Sequence, residues 1–312
     1  MTTATPATPA TPAATESVPV EQVPRNKKKL TPARVLLHVF LFTCAVLWLI
    51  PVVWAVFTSF RPYADTAIHG YVSWPHSLSL VNYRTAWVNA ALPHFFFNSM
   101  IVAVPAIFLI LLLASSVAFV LSRFSYWFNV PLLIFFMAAN LLPQQIILTP
   151  LYNLYLRMPL PTWLSDSGLF YDSYVGLIAI NVAFQTGFCT FVLANYMKTI
   201  PQTLNEAARV DGAGVLRQFF GIILPLCKPA LAALAVLEFT FIYNDFLWPI
   251  VLMKSGNKQP ITAALNSLQG IYFSNNNLIA AAAMLVVIPT LIVFALLQRQ
   301  FISGLTLGST KG

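Results

Sequence analysis

The stretch EAARVDGAGVLRQFFGIILP, Glu206 to Pro225, is the only long run of mixed polar and apolar residues set between two strongly hydrophobic segments. Thr199 to Asp211 is expected to form a short helix. Pro201 sits early, where its missing N–H costs little, and Glu206, Ala207, Ala208 and Arg209 favour helix. Gly212-Ala213-Gly214 then breaks it, because glycine takes the dihedrals of a sharp turn without steric penalty. A second short helix is expected to run to Leu224, and Pro225 and Pro229 mark the entry to the next apolar segment. Two short helices joined at a glycine corner are too polar to cross a bilayer. They suit its surface, where they could present a knob to another molecule.

Composition sets the class of the rest. The chain has 312 residues, 58% hydrophobic and only 8% charged, whereas soluble domains carry about 25% charged residues. Apolar runs long enough to span a bilayer recur along it, so a polytopic all-α membrane protein is expected. The formal charge of +8 does not indicate nucleic acid, because the basic residues cluster beside the apolar segments and report orientation instead. Cys44, Cys189 and Cys227 are odd in number and widely spaced, which argues against a disulfide framework and for small apolar side chains.

Residues 1–24 repeat Ala-Thr-Pro and are expected to be disordered, with Arg25, Lys27, Lys28 and Lys29 as a basic anchor closing a tail over 1–34. A secretory signal is not expected, since no apolar core follows the first methionine closely. Six spans are expected within 35–298: about Val35–Phe60, Phe96–Leu121, Phe128–Leu156, Val175–Met197, Pro229–Met253 and Leu278–Gln298. The polar loop occupies 199–228 and a short tail occupies 299–312. This topology puts both termini in the cytoplasm. Twelve of the 17 Lys and Arg residues then lie inside, and Arg61, Arg84, Arg157, Lys254 and Lys258 lie outside, as the positive-inside bias requires.

With this frame in place, the polar loop closely resembles the EAA loop of permease subunits of ABC importers. The family pattern is Glu-Ala-Ala, three residues, Gly, nine residues, Ile, one residue, Leu-Pro. It is met by Glu206, Ala207, Ala208, Gly212, Ile222, Leu224 and Pro225. Asp211-Gly212 fits the form of the maltose-type, multiple-sugar branch. So do Asn98-Ser99, Ser122-Arg123-Phe124, Pro143-Gln144-Gln145, Pro150-Leu151-Tyr152, Asn244-Asp245-Phe246-Leu247-Trp248-Pro249 and the terminal Gln298-Arg299, Gly304-Leu305-Thr306 and Lys311-Gly312. Tyr243 departs from the family, where a Trp usually stands.

The resemblance covers about Leu36 to Gly312. It implies a type I importer subunit in a prokaryotic plasma membrane, taking up a carbohydrate, with a di- or oligosaccharide or a sugar phosphate as candidates. It implies a second permease (a heterodimer), two ATPases that use ATP and Mg, and an extracytoplasmic sugar-binding protein. The loop would be the coupling helix docking on an ATPase, Gly304, Leu305, Thr306 and Lys311 would reach the ATPase dimer, and Lys254–Gly270 would touch the binding protein.

Chemistry within the chain is sparse. No stretch reads G-x-x-x-x-G-K-[ST], so no nucleotide site, bound cofactor or catalytic residue is expected here. His38, His69, His76 and His94 show no ligand spacing, and no metal site is expected. Glu238 and Asp245 are the acids placed inside a span, seven residues apart on one helical face. They, Asn244, Gln144 and Gln145 either line a path or join helices and subunits. A proton-coupled secondary transporter using Glu238 and Asp245 is the alternative reading; an intramembrane enzyme lacks a nucleophile or metal constellation.

Overall fold

The computed structural model describes residues 32–267 and 275–306. The Ala-Thr-Pro repeat, the basic cluster at 25–29, the end of the 254–270 loop and Lys311 lie outside the described residues. The chain divides into two compact units, Met1–Ile50 and Pro51–Gly312. The described residues are almost wholly helical, and their only β pairing is an isolated bridge between Pro159 and Leu169.

The first long helix, α1 (Pro32–Ser59), crosses the boundary between the units and carries Pro51 inside it. Its large apolar side chains over residues 35–50 are exposed, and the half-buried Cys44 lies among them. A short loop then forms α2 (Tyr63–His69) and α3 (Val81–Arg84), which runs on through a π turn at Thr85–Asn89. Next come α4 (Leu92–Arg123), α5 (Asn129–Leu141), a 3-10 turn at Gln144–Ile147 and α6 (Leu148–Tyr155). The long α7 (Tyr174–Thr199) leads to the polar loop, with α8 (Thr203–Val210), α9 (Val215–Gln218), a π turn at Phe219–Ile223 and α10 (Leu224–Leu226). The chain finishes with α11 (Lys228–Tyr243), α12 (Leu247–Leu252), α13 (Ile261–Ser267) and α14 (Asn276–Thr306).

The α4–α7 pair is the spine of the larger unit, with α5 on α7, and α11 against both α4 and α14. Ala103, Ala106, Ala114 and Ala118 place a fully buried small-residue stripe along α4, with Ile110 between them. Lipid supplies little hydrophobic drive between helices, so close backbone approach at small residues supplies the packing instead.

Polar ties hold the ends of the helices. Asn98 Oδ1 accepts from the Tyr174 hydroxyl at 2.8 Å, and its Nδ2 donates to the carbonyls of Asn257 and Gln259. Ser99 Oγ accepts from the Ile261 N–H at 2.9 Å. The Asp172 carboxylate accepts from the backbone N–H groups of Lys254 and Ser255, and Lys258 pairs with Asp166. Thus 254–261 is pinned to α4 and to the loop before α7. Close by, with its ring against Phe96, Tyr243, standing where the resemblance led one to expect Trp, donates its hydroxyl to the Val286 carbonyl of α14.

Three sequence expectations change. The short helix set at Thr199–Asp211 is α8, starting only at Thr203. Ile200, the residue before Pro201, is held extended at φ −78°, ψ 126°, as the steric bulk of a following proline demands. The span expected at Phe128–Leu156 is broken. Leu142 is extended before Pro143, and the segments on either side meet at 87°. The span expected at Pro229–Met253 is a 16-residue helix, α11, interrupted at Asn244-Asp245-Phe246 and resumed as α12. Among the described residues, four helices (α1, α4, α7 and α14) are each long and apolar enough to cross a membrane, rising to six if each of two bent pairs counts once. The second bent pair is Val215–Leu226 with Lys228–Tyr243, so part of the polar loop itself passes that test.

Gly176 shows how tightly the spine begins. Its N–H is capped by Ser173 Oγ, its carbonyl accepts from Tyr155, and an added Cβ would collide with the Phe170 carbonyl. Gly176→Ala is expected to cost about 1–3 kcal/mol, whereas Gly221→Ala, with nothing within 4 Å of the added carbon, should stay within about 0.5 kcal/mol. Thermal unfolding of the two purified variants measures the difference.

Candidate functional site

The corner of the polar loop is a complete helix-terminating motif. Asp211 follows the last turn of α8, and Gly212 adopts φ +76°. The Gly212 N–H returns to the Arg209 carbonyl at 3.1 Å and the Ala213 N–H to the Ala208 carbonyl at 2.8 Å. These are the paired bonds of a Schellman cap, which requires a left-handed residue and so favours glycine. Gly214 is extended at φ −65°, ψ 164°, and its carbonyl accepts from Gln218 to open α9.

A buried amide pair braces the corner from within. Asn205 Nδ2 donates to Gln218 Oε1 at 3.2 Å, and Gln218 Nε2 donates to the Ala213 carbonyl at 2.7 Å. Both amides are buried, although the loop reads as solvated in sequence. The π turn at Phe219–Ile223 precedes Pro225, which has no N–H to return to Gly221 four residues back; the widened turn absorbs that lost bond.

The loop is fastened to the helical bundle at its root. Arg123, the last residue of α4, donates from Nη1 to the Ile200 carbonyl and from Nη2 to the Met197 carbonyl, each at 3.0 Å. The Met197 carbonyl also accepts from the Ile200 N–H, so the guanidinium adds a charged donor at the helix C-terminus, where a cation complements the helix dipole. Phe219 packs against Phe119 of α4 with ring centroids 5.3 Å apart. Arg123, Asn205 and Gln218 were therefore missed as functional positions. Only the basic residue ending α4 left a trace in sequence, in Ser122-Arg123-Phe124.

The motif residues fall on two sides. Glu206, Ala207, Asp211, Gly212 and Pro225 are exposed, Ala208 is buried, and Ile222 and Leu224 are half-buried. Around the exposed set stand apolar side chains in the open: Val210 is 88% exposed and Leu216 73%, with Leu204 and Val215 beside them in sequence. A polar helix pair that leaves these residues bare has the make-up of a docking surface.

Within the bundle the polar positions separate. Glu238 is fully buried, with Cys189 of α7 donating its thiol to Oε1 at 3.1 Å and Oε2 unpartnered. Asp245 is not on the same helical face as Glu238, as its seven-residue spacing suggested, because α11 ends at Tyr243. Its Oδ1 instead accepts from the N–H groups of Leu247 and Trp248, capping α12, and its carbonyl accepts from Thr262. Asn244 is exposed and donates back to the Thr240 carbonyl. Gln144 is half-buried and Gln145 exposed in the turn at the α5–α6 break. Gly304, Leu305 and Thr306 end α14, and Lys311 lies outside the described residues.

A cluster without a sequence signal lies in the loop after α1. Arg61, 1% exposed, donates from Nε to Asp65 Oδ2 and from its two Nη atoms to Asp65, Gly70 and Ser73. The guanidinium holds the Asp65 carboxyl below its ordinary value of 3.8, so it is ionised at neutral pH. His69 and His76 stand beside it with their rings stacked 3.9 Å apart. Spacings of four and eleven residues carry no ligand motif, because the turn at Gly70–Ser73 is what folds His76 back.

Comparison with known proteins agrees on one family. Residues 30–306 match the model of the binding-protein-dependent transport system inner membrane component. A probable ABC transporter permease of Pyrococcus horikoshii is 30% identical over 266 residues, covering 85% of this chain and 93% of its own. The diacetylchitobiose uptake system permease NgcG of Streptomyces coelicolor is 30% identical over 277 residues, covering 88% of each. The melibiose/raffinose/stachyose import permease MelC of Bacillus subtilis is 31% identical over 239 residues, covering 76% of this chain and 83% of its own. A chain in the crystal structure of a bacterial ABC transporter importing the acidic polysaccharide alginate shares the fold, with a TM-score of 0.70 at 21% identity over 86% of this chain and 95% of that one.

The Arg123 tie gives a direct expectation. Hydrogen bonds to a charged group contribute about 1.5–3 kcal/mol, so Arg123→Ala should raise amide exchange through 197–212 by about tenfold or more while leaving the middle of α4 and α7 protected. Exchange that is unchanged in that window would show that the root of the loop is held by other contacts.

Proposed function

The chain belongs to the family of binding-protein-dependent transport system inner membrane components, and from this premise we propose that it is the permease subunit of an ATP-driven importer of carbohydrate, a di- or oligosaccharide. Two relatives whose names give a substrate, a diacetylchitobiose permease and a melibiose, raffinose and stachyose permease, support a short saccharide. We assign six spans with both termini in the cytoplasm: α1, α4, the bent α5–α6 pair, α7, α11 with α12, and α14. The 16 residues of α11 rise about 24 Å, short of a hydrocarbon core of about 30 Å; α12 supplies the remainder.

The observation that carries the reading is the braced corner. The Schellman cap at Gly212 and the Asn205–Gln218 pair make α8 and α9 one rigid piece. Arg123 and Phe219 join that piece to the spine helices. Its outward side leaves Glu206, Asp211, Val210 and Leu216 exposed, which supports it as the surface that would meet an ATPase subunit. ATP and Mg would be used by two such partners and not by this chain. A force applied there can change the balance between inward- and outward-facing arrangements only if it is transmitted without slack. A second permease would complete the path, an extracytoplasmic sugar-binding protein would deliver the sugar near the pinned 254–261 segment, and the end of α14 from Gly304 would reach the ATPase pair.

Ion coupling through Glu238 and Asp245 is not favoured. Glu238 is enclosed against Cys189, and Asp245 is engaged as a cap, so the two do not form a continuous acid face.

In proteoliposomes holding the full importer, Glu206→Ala and Gly212→Val should lower sugar uptake by about tenfold or more while ATP hydrolysis persists, a coupling loss of about 1.4 kcal/mol. Valine is chosen because a β-branched residue at a left-handed φ costs about 1–3 kcal/mol. Full uptake at normal ATP stoichiometry in both variants would contradict the reading.

A further inference from the structure

The loop between α1 and α3 carries a constellation that sugar import does not use. Asp65, His69 and His76 bring one carboxylate oxygen and two imidazole nitrogens within 4.8 Å of one another. His69 Nδ1 lies 3.0 Å and His76 Nδ1 3.4 Å from the same atom, Asp65 Oδ1. Four-coordinate zinc with bonds of about 2.0–2.1 Å places its ligand atoms roughly 3.3 Å apart. The two distances therefore already lie near those of two edges of such a tetrahedron.

The carboxylate is held for this task from behind. Arg61 is buried and engages Asp65 Oδ2, leaving Oδ1 turned toward the imidazoles. The same guanidinium binds the carbonyls of Gly70 and Ser73, which fixes the turn that carries the chain from His69 back to His76. Ligating carboxylates are commonly oriented by such a hydrogen-bonded neighbour. On the outward side the two histidine side chains are 37% and 63% exposed, so an ion and a coordinating water can reach the nitrogens from solvent. Two imidazoles and one carboxylate favour zinc and neighbouring transition metals over magnesium or calcium, which prefer all-oxygen sites.

We propose that Asp65, His69 and His76 form a zinc-binding site on this loop, with water as the fourth ligand. Binding takes the Nδ1 lone pair of each histidine, so a proton on either Nδ1 is released to solvent and the imidazole N–H is carried on Nε2. The ion joins α2 to the segment around His76 through two bonds that do not depend on Arg61, and so stiffens the loop. The inference rests on the local geometry alone and stands apart from what the chain transports.

The test uses the full-length chain purified through a tag without histidine and stripped with a chelator. Titrated Co2+ should give the visible absorption bands of a tetrahedral site, and Zn2+ should abolish them at one ion per chain. His69→Ala and His76→Ala should each weaken Zn2+ binding by more than about tenfold and remove the cobalt bands. His94→Ala should leave both unchanged, since His94 sits against Asn257 elsewhere. The exposed His76 variant keeps the test valid if the His69 variant does not fold. Absence of cobalt bands in the unaltered chain, or zinc binding that survives both substitutions, would overturn the assignment.

Discussion

A guanidinium on two helix-end carbonyls is the constraint on which the proposed mechanism depends. Arg123 closes α4 and places its Nη atoms on Met197 and Ile200, where α7 runs out of intrahelical partners. Without that cation the Ile200 carbonyl would turn to water and the Met197 carbonyl would keep only the Ile200 N–H, so the last turn of α7 would fray more readily. With it, the two longest-packed helices end at a common fixed point. From that point the chain leaves in one direction only, because Ile200 is held extended by Pro201.

Everything beyond this root is built to keep a short polar piece stiff. A Schellman cap and a buried amide pair satisfy backbone and side-chain groups that would otherwise be unpaired, and a π turn accommodates Pro225. The result places hydrophobic residues such as Val210 and Leu216 in the open while the interior of the loop is closed. Inside the bundle the same demand for satisfied polar groups explains the breaks. Asp245 caps α12 where α11 stops, and Asn140 donates to the Phe184 carbonyl beside the α5–α6 bend.

Much of this was legible in the chain. The spacing of Glu206, Gly212, Ile222 and Leu224-Pro225 located the corner, and Gly212 is the residue with positive φ there. Hydropathy placed the long helices because periods of apolar residues report burial in lipid directly. What sequence could not show were contacts between positions far apart. Glu238 and Asp245 looked like one face because a helix was extrapolated through Asn244, where α11 ends. Asn205 and Gln218 carried no motif, and their pairing across the corner is visible only in the fold. Asp65, His69 and His76 are drawn together by Arg61 and a turn whose geometry no spacing rule encodes.

The proposal that the corner is a lever driven by another chain is tested most directly at Val210, exposed at 88% on its tip. A photo-activated cross-linker placed at position 210 in cells carrying the complete importer should, on illumination, give an adduct whose partner is an ATP-binding subunit identified by mass spectrometry. An adduct formed only with extracytoplasmic proteins, or none formed while the same probe at a bundle-facing position reacts, would contradict the account.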